Sequence, residues 1–535
     1  MTDSPRYLEG LNEPQREAVL HTDGPLMVLA GAGSGKTRVI THRIVHLIHQ
    51  GVAPHNILAV TFTNKAASEM RERVELLCRE YLPSDRAAID SLPVVTTFHS
   101  LGVRLLREFH EAMGLRRYFA IYDRSDSQKA VKTAIEQAGY NPKEFEPRKI
   151  LSAISRAKGD AVTRLTYTDA ASSFFEEVVA QTWDKYETIL HNDSALDFDD
   201  LLVKTLRLLE DNPTARETLQ NRYKYIHIDE YQDTNKVQFR IAELLADEAH
   251  NICVVGDIDQ NIYSWRGADI KNVLQFERHF PNATTILLEE NYRSTQTIIA
   301  ASNDVIKKNQ NRVDKTVFTN NHEGEKITLY AGMTGYDEAE YVALTAKSLI
   351  ADGADPAGIA VLYRTNFQSR SLEEAFLNFE VPYQLLGTKF FERKEVKDVL
   401  SYLRLALNPG NTADLTRIIN EPARGIGKVT MLKVVEGKRG ELNAGAAAKV
   451  KVFDDIMMDI ANAAKEKKLS DTIKFIMKVS GVEAKYKEEG TEEALERLEN
   501  LRELVTLATR FDGTDPADAV EQLLETAALQ SDQDE

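Results

Sequence analysis

Residues 30–37 read Ala30-Gly31-Ala32-Gly33-Ser34-Gly35-Lys36-Thr37 and directly follow the apolar run Leu26-Met27-Val28-Leu29. So many small residues, set between a strand-like run and the helical stretch from Arg38 to Gln50, mark the strand-to-helix turn of an α/β unit. Backbone N–H groups of Ala30 to Gly35 can close around a polyphosphate there. Lys36 can reach the terminal phosphates, and the Thr37 hydroxyl is placed to hold Mg²⁺. Ala30 stands where the strict pattern has glycine, so the match is relaxed at that position.

The rest of the chain fits such a unit. Short, apolar, β-branched runs recur at Leu26–Leu29, Ile57–Thr61, Val94–Thr97, Tyr225–Ile228 and Ile252–Val255. They predict buried parallel strands of a doubly wound sheet, which binds ligands at the carboxyl ends of its strands. From Leu101 to about Leu219 the pattern is helical, as for an insertion that splits this first domain in sequence. A second α/β stretch is expected from Thr285, with strands Ile327–Tyr330 and Ile359–Tyr363, and helices return from about Phe390. The expected domains are therefore 1–100 with 220–284, a helical insertion at 101–219, a second α/β domain at 285–388, and a second helical insertion at 389–535. The acidic tail from Ser531 to Glu535 is expected to fray.

Composition excludes several classes. Cys78 and Cys253 are the only cysteines, too few for a disulfide framework. The first residues carry no apolar signal region, and no run approaches the ~18 apolar residues of a membrane span, so a cytoplasmic protein is expected. The net charge of -17 argues against a simple nucleic-acid coat. It leaves room for a local basic field.

Two further segments carry chemistry. Residues 226–233 read Ile226-His227-Ile228-Asp229-Glu230-Tyr231-Gln232-Asp233. Paired carboxylates at a strand end suit two tasks: Asp229 for the Mg²⁺ shell and Glu230 for polarising an attacking water. Another apolar run ends in Val255-Gly256-Asp257-Ile258-Asp259-Gln260. The Gln260 amide is suited to the γ-phosphate or its water. Tyr263, Trp265 and Arg266 follow at once, offering stacking faces and a cation for single-stranded nucleic acid.

More segments complete an ordered set. They are Leu11-Asn12-Glu13-Pro14-Gln15, Thr61-Phe62-Thr63-Asn64, Thr97-Phe98-His99-Ser100, Asp197-Phe198-Asp199-Asp200, Glu290-Asn291-Tyr292-Arg293-Ser294, Tyr363-Arg364-Thr365-Asn366 and Arg424-Gly425-Ile426-Gly427. In this order they resemble the motifs of UvrD/Rep/PcrA-type DNA helicases of superfamily one. The resemblance implies two RecA-like P-loop lobes, each with a helical insertion, and ATP-driven 3′ to 5′ movement on single-stranded DNA. It implies that Gln15 reads the adenine edge, Tyr292 stacks on the base, Arg38 faces the nucleotide, and Arg293 is an arginine finger. Phe62, Asn64, His99, Phe198, Tyr263, Trp265 and Arg266 would contact single-stranded DNA. The turn at Gly425 and Gly427 would present N–H groups to duplex phosphate at a single-strand/double-strand junction.

The resemblance has one gap. The family pattern goes on to a Val-His-Ser-Ala-Lys-Gly-Leu-like motif and an Arg-bearing motif, and neither occurs in these 535 residues. The expectation is an incomplete second lobe with exposed sheet edges and apolar faces. Loss of a second arginine finger would cost about 10³-fold or more in rate. The competing readings are a non-catalytic DNA-binding fragment and a nuclease-linked helicase of the RecB type, though no nuclease motif is visible.

Overall fold

The computed structural model of the protein describes residues 5–82, 92–264, 267–309, 315–365, 368–385 and 390–533. The chain divides into two units. One comprises Met1–Arg293, Val305–Asn320 and Lys389–Glu535, and the other Ser294–Asp304 and Asn321–Thr388.

The first unit contains the strands β1 (Leu26–Ala30), β2 (Ile57–Thr61), β3 (Val94–Thr97), β4 (Ala120–Tyr122), β5 (Ala195–Asp197), β6 (Tyr225–Ile228), β7 (Ile252–Gly256) and β8 (Thr284–Leu288). Six of them form one parallel sheet in the order β3-β2-β6-β7-β1-β8. All residues of β1, β2 and β7 are buried, as strands covered on both faces must be. The pleat sorts their side chains. Leu26 and Val28 face the helices Lys36–His49 and Asn64–Tyr81, in one core with Ile44 and Met70. Met27 and Leu29 face the opposite core, with Leu101, Leu202 and Phe239 from the helices Phe98–Glu108, Phe198–Asp211 and Lys236–Leu245.

Three features depart from the sequence expectations or add to them. Residues 284–288 lie in the first sheet, where β8 pairs with β1 from Leu26↔Thr284 to Ala30↔Leu288. Its alternating burial is that of an edge strand. Second, the helical insertion holds a parallel pair, β4 with β5, too short to be read from periodicity. Third, residues 327–330 and 359–363 form no strand. A strand needs a partner for its backbone groups, and none pairs with them among the described residues. Leu329 and Leu362 are each 93% exposed. The second unit instead centres on the helices Gly335–Ala351 and Ser369–Asn378, through Ala343, Ala346 and Phe376.

The C-terminal helices wrap the helix Lys394–Leu407, whose Val396, Val399, Tyr402 and Leu403 are buried. This bundle is tied to the helical insertion by charged and polar links. Lys397 meets Asp123 at 2.8 Å, the Thr412 hydroxyl donates to Asp193 at 2.7 Å, and Arg107 meets Glu521 at 3.4 Å. The stretch expected to fray is largely the end of the helix Pro516–Gln533. No helix among the described residues is long and apolar enough to cross a membrane.

Candidate functional site

The loop after β1 is held open by its neighbours. Gly33 (φ 66) and Gly35 (φ 88) adopt left-handed backbone, which glycine reaches without strain. Gly35 caps the helix Lys36–His49, which starts before the expected Arg38. From one side, the Gln15 amide donates to the Ser34 carbonyl at 2.8 Å. From the other, Asn291 donates to the Ala32 carbonyl at 2.5 Å and the Tyr292 N–H to the Gly33 carbonyl at 3.0 Å. A Cβ on Gly33 would lie 2.6 Å from the Asn291 amide nitrogen, so that contact needs glycine.

Gln15 is only 1% exposed, and its amide oxygen accepts from the Asn12 N–H at 3.2 Å. It braces the loop in this state, and reading an adenine edge requires it to exchange those partners. Beside it, Asn12 donates to the Tyr292 hydroxyl at 2.8 Å, which donates to Glu290 at 2.7 Å. Burial and the Glu290 carboxylate push the Tyr292 phenol up to about 12. The Tyr292 ring is 49% exposed, as a stacking platform for a base must be. Arg38 and Arg293 are both exposed, and the Arg293 Cβ lies 2.9 Å from where a Gly33 Cβ would stand.

Below the loop, side chains from five positions close a ring. Lys36 Nζ meets Glu230 Oε2 at 3.1 Å. That oxygen accepts from Gln232 Nε2 at 2.8 Å, and Gln232 Oε1 accepts from the Asp257 N–H at 2.9 Å. Asp257 Oδ2 accepts from Gln260 Nε2 at 2.7 Å, and Gln260 Oε1 accepts from Lys36 Nζ at 3.4 Å. Glu230 is itself in left-handed backbone (φ 50), a strained state of the kind stored at functional sites.

Asp229 lies beside this ring and accepts from the Thr37 hydroxyl at 3.2 Å. Burial, then the Glu230 charge, push its carboxyl up to about 6. Thr37 and Asp229 are a pair of hard oxygen donors, and no group of three or more His, Cys, Asp or Glu residues that could hold a metal ion occurs among the described residues. Such a pair fits a small divalent cation whose shell is completed by phosphate oxygens and water.

The candidate nucleic-acid residues lie at the same carboxyl ends of the strands, with Phe62 and His99 toward the β3 edge of the sheet. Phe62, after β2, stacks on Tyr263 with ring centroids 4.9 Å apart and planes at 29°. Asn64 opens the next helix and accepts from the Ser100 hydroxyl at 3.4 Å. His99, after β3, lies 5.4 Å from the Phe198 ring. Burial pushes the His99 imidazole down to about 4, so it meets a ligand neutral at pH 7. Trp265, Arg266 and Asn366 lie outside the described residues. If Phe62 stacks on a base, Phe62→Ala should weaken single-stranded DNA binding by about 1–3 kcal/mol, measured by fluorescence titration at fixed salt.

In the Gly425–Gly427 turn both glycines are exposed and Ile426 between them is buried. The Ile426 N–H already donates to Asn420 at 3.2 Å, and the Gly425 carbonyl accepts from Lys449 at 3.0 Å. Arg424 stays inside, donating to Tyr402, Ser480, Ile418 and Pro422. Its role is to shape the turn.

Sequence reading missed Asn291, Gln232 and Asp257. Each stands within or beside a motif it singled out, but each acts through a partner remote in sequence.

Comparison with known proteins agrees with this geometry. Residues 11–281 match the model of the UvrD/REP helicase N-terminal domain, and residues 286–535 that of the UvrD-like helicase C-terminal domain. The chain is 40% identical over 550 residues to the ATP-dependent DNA helicase PcrA of Bacillus subtilis, covering 99% of this chain and 73% of the relative. It is 41% identical over 526 residues to the protein of that name from Staphylococcus aureus strain COL, covering 95% and 71%. The match to the one from Leuconostoc citreum is 40% over 552 residues, covering 98% and 73%. With family matches along both halves and relatives this similar, the chain belongs to the UvrD/Rep helicase family.

Proposed function

We propose that this chain is an ATP-dependent DNA helicase that couples hydrolysis of Mg²⁺-bound ATP to 3′ to 5′ movement on single-stranded DNA. It would open single-strand/double-strand junctions in the cytoplasm, in repair or replication. One observation carries the coupling: Gln260, in the ring with Lys36 and Glu230, lies on the same short segment as Tyr263, which stacks on Phe62. Asn261, between them, donates to the Gln232 carbonyl at 2.5 Å and so ties this segment to the Glu230 loop.

In this reading the Gly31–Gly35 backbone cradles the β- and γ-phosphates, and Asn12, Gln15 and Tyr292 form the base site. Thr37 and Asp229 would hold the cation, whose charge would offset that of the phosphates. Lys36 leaves Glu230 for the γ-phosphate. That frees the Glu230 carboxylate to orient and deprotonate water, while Gln260 and Arg293 contact the transferring phosphoryl group. The unpaired apolar segments of the second unit support the further reading that unwinding by this chain is weak.

The test is steady-state ATP hydrolysis with and without single-stranded DNA, beside Lys36→Ala. A DNA-stimulated rate that Lys36→Ala lowers by about 10²-fold or more is expected. Retained DNA binding with no rate above the Lys36→Ala background would favour the non-catalytic reading instead.

A further inference from the structure

Lys315 was not singled out by any motif, yet it is 3% exposed and packs within the first unit. A lysine this deeply buried needs carboxylates around it. Its Nζ contacts Asp257 Oδ1 and lies 3.1 Å from Asp259 Oδ2. These two acids flank Ile258 in the turn that ends at Gln260. Asp257 Oδ2 is the acceptor that holds Gln260 Nε2, which leaves Gln260 Oε1 facing Lys36.

The next residues tie Lys315 to the opposite wall of the site. The Thr316 N–H donates to the Glu289 carboxylate at 2.8 Å, and the Phe318 N–H to the Glu289 carbonyl at 3.0 Å. The Phe318 carbonyl accepts from the Asn291 N–H at 2.7 Å, one residue before Tyr292. One short segment therefore links the strand extension carrying Tyr292 and Arg293 to the turn carrying Gln260.

We propose that Lys315 is a positioning residue of the nucleotide site: it orients Asp257, fixes the Gln260 amide toward Lys36, and thereby sets how well the site distinguishes a nucleoside triphosphate from a diphosphate. Without it, Asp257 and Asp259, both nearly buried, lose the ammonium group they share. Asp257 would then turn away. Once Asp257 Oδ2 no longer accepts from Nε2, the Gln260 amide is released to flip and point its NH₂ at Lys36. The proposal rests on the reading of this site as an ATP site.

The test is titration of the whole chain with a non-hydrolysable ATP analogue and with ADP, read by fluorescence. The wild type should prefer the triphosphate, and Lys315→Met should lose about tenfold of that preference. Lys315→Arg should keep most of it. In a Gln260→Ala background, Lys315→Met should have no further effect, because it acts through that amide. Should Lys315→Met not fold, Lys315→Gln keeps a donor without the charge and should lose preference in the same direction. Unchanged preference in a folded variant, or effects that add to those of Gln260→Ala, would overturn the proposal. A wild type that binds neither nucleotide would overturn the ATP reading and this proposal together. A wild type that prefers the triphosphate while Lys315→Met does so equally would overturn this proposal alone.

Discussion

Glu230→Gln is expected to lower DNA-stimulated ATP hydrolysis by about 10²–10⁴-fold while nucleotide affinity stays within a few-fold of wild type. The carboxylate lies 3.1 Å from Lys36 and 2.8 Å from the Gln232 amide, at a strand end beside the phosphate loop. Glutamine keeps its size but cannot accept a proton from water. The groups proposed to hold nucleotide are elsewhere: the Gly31–Gly35 backbone, Thr37, Gln15 and Tyr292. Removing the Glu230 charge also lets Asp229 relax from its raised value of about 6 toward the ordinary carboxylate range, which favours its ionised form. Cation-dependent binding is therefore preserved. Steady-state rates together with analogue titration check both halves, and a rate loss below about tenfold would remove Glu230 from the role of base.

Lys158→Met is expected to destabilise the helical insertion by about 3–5 kcal/mol, since it breaks a buried ion pair from one side. Lys158 is 3% exposed and meets Asp197 at 2.7 Å and Asp200 at 2.8 Å. Burial alone would lower the pKa of its ammonium group, but Asp197, Asp200 and Asp199 raise it overall. Asp197 also accepts from the Tyr186 hydroxyl at 3.0 Å and caps the helix that Phe198 opens. The loss should reach DNA binding through Phe198.

The effect should depend on pH in a fixed direction. Burial and the Asp197 charge push Asp199 up to about 7, so the folded chain holds this proton more tightly than the unfolded one. That contribution to stability falls as pH rises from about 4 to 7. The Lys158 contribution persists below the ordinary lysine pKa but needs ionised carboxylates. The deficit of Lys158→Met should therefore be largest near pH 8 and shrink toward pH 5. Trp183, buried in the same insertion, reports the transition by fluorescence during urea unfolding. A deficit that is flat across this range would argue against charge compensation as the role of Lys158.

What could be read from sequence was what depends on neighbours in sequence. The phosphate loop is a contiguous string whose backbone demands, left-handed turns at Gly33 and Gly35, are written in glycines. Strands β1, β2, β6 and β7 sit where their apolar runs are, because a strand covered on both faces leaves an unbroken signature, while β3, an edge strand with alternating burial, is marked by its β-branched run Val94-Val95-Thr96-Thr97. The same signature misled at 327–330 and 359–363, since a run of apolar residues says nothing about whether a partner strand is present. It also hid β8, whose place depends on pairing with a strand more than 250 residues earlier. Gln232 and Lys315 were illegible for a related reason. Alone, an amide and a lysine predict a solvated surface, and only the fold supplies Asp257 and Asp259 as their partners.

The order of strands sets a distance between the two kinds of chemistry. β2, which leads to Phe62, and β1, which leads to the phosphate loop, are separated by β6 and β7. At about 4.8 Å per strand, the gap is roughly 14 Å. For solvent-exposed charges that exceeds the Debye length of about 8 Å at physiological salt. Between them stand only the loops of β6 and β7, fastened to each other by Gln232 and Asn261. The sheet therefore serves as a rigid spacer. Under the proposed function, a displacement at one site would reach the other through these two joined loops.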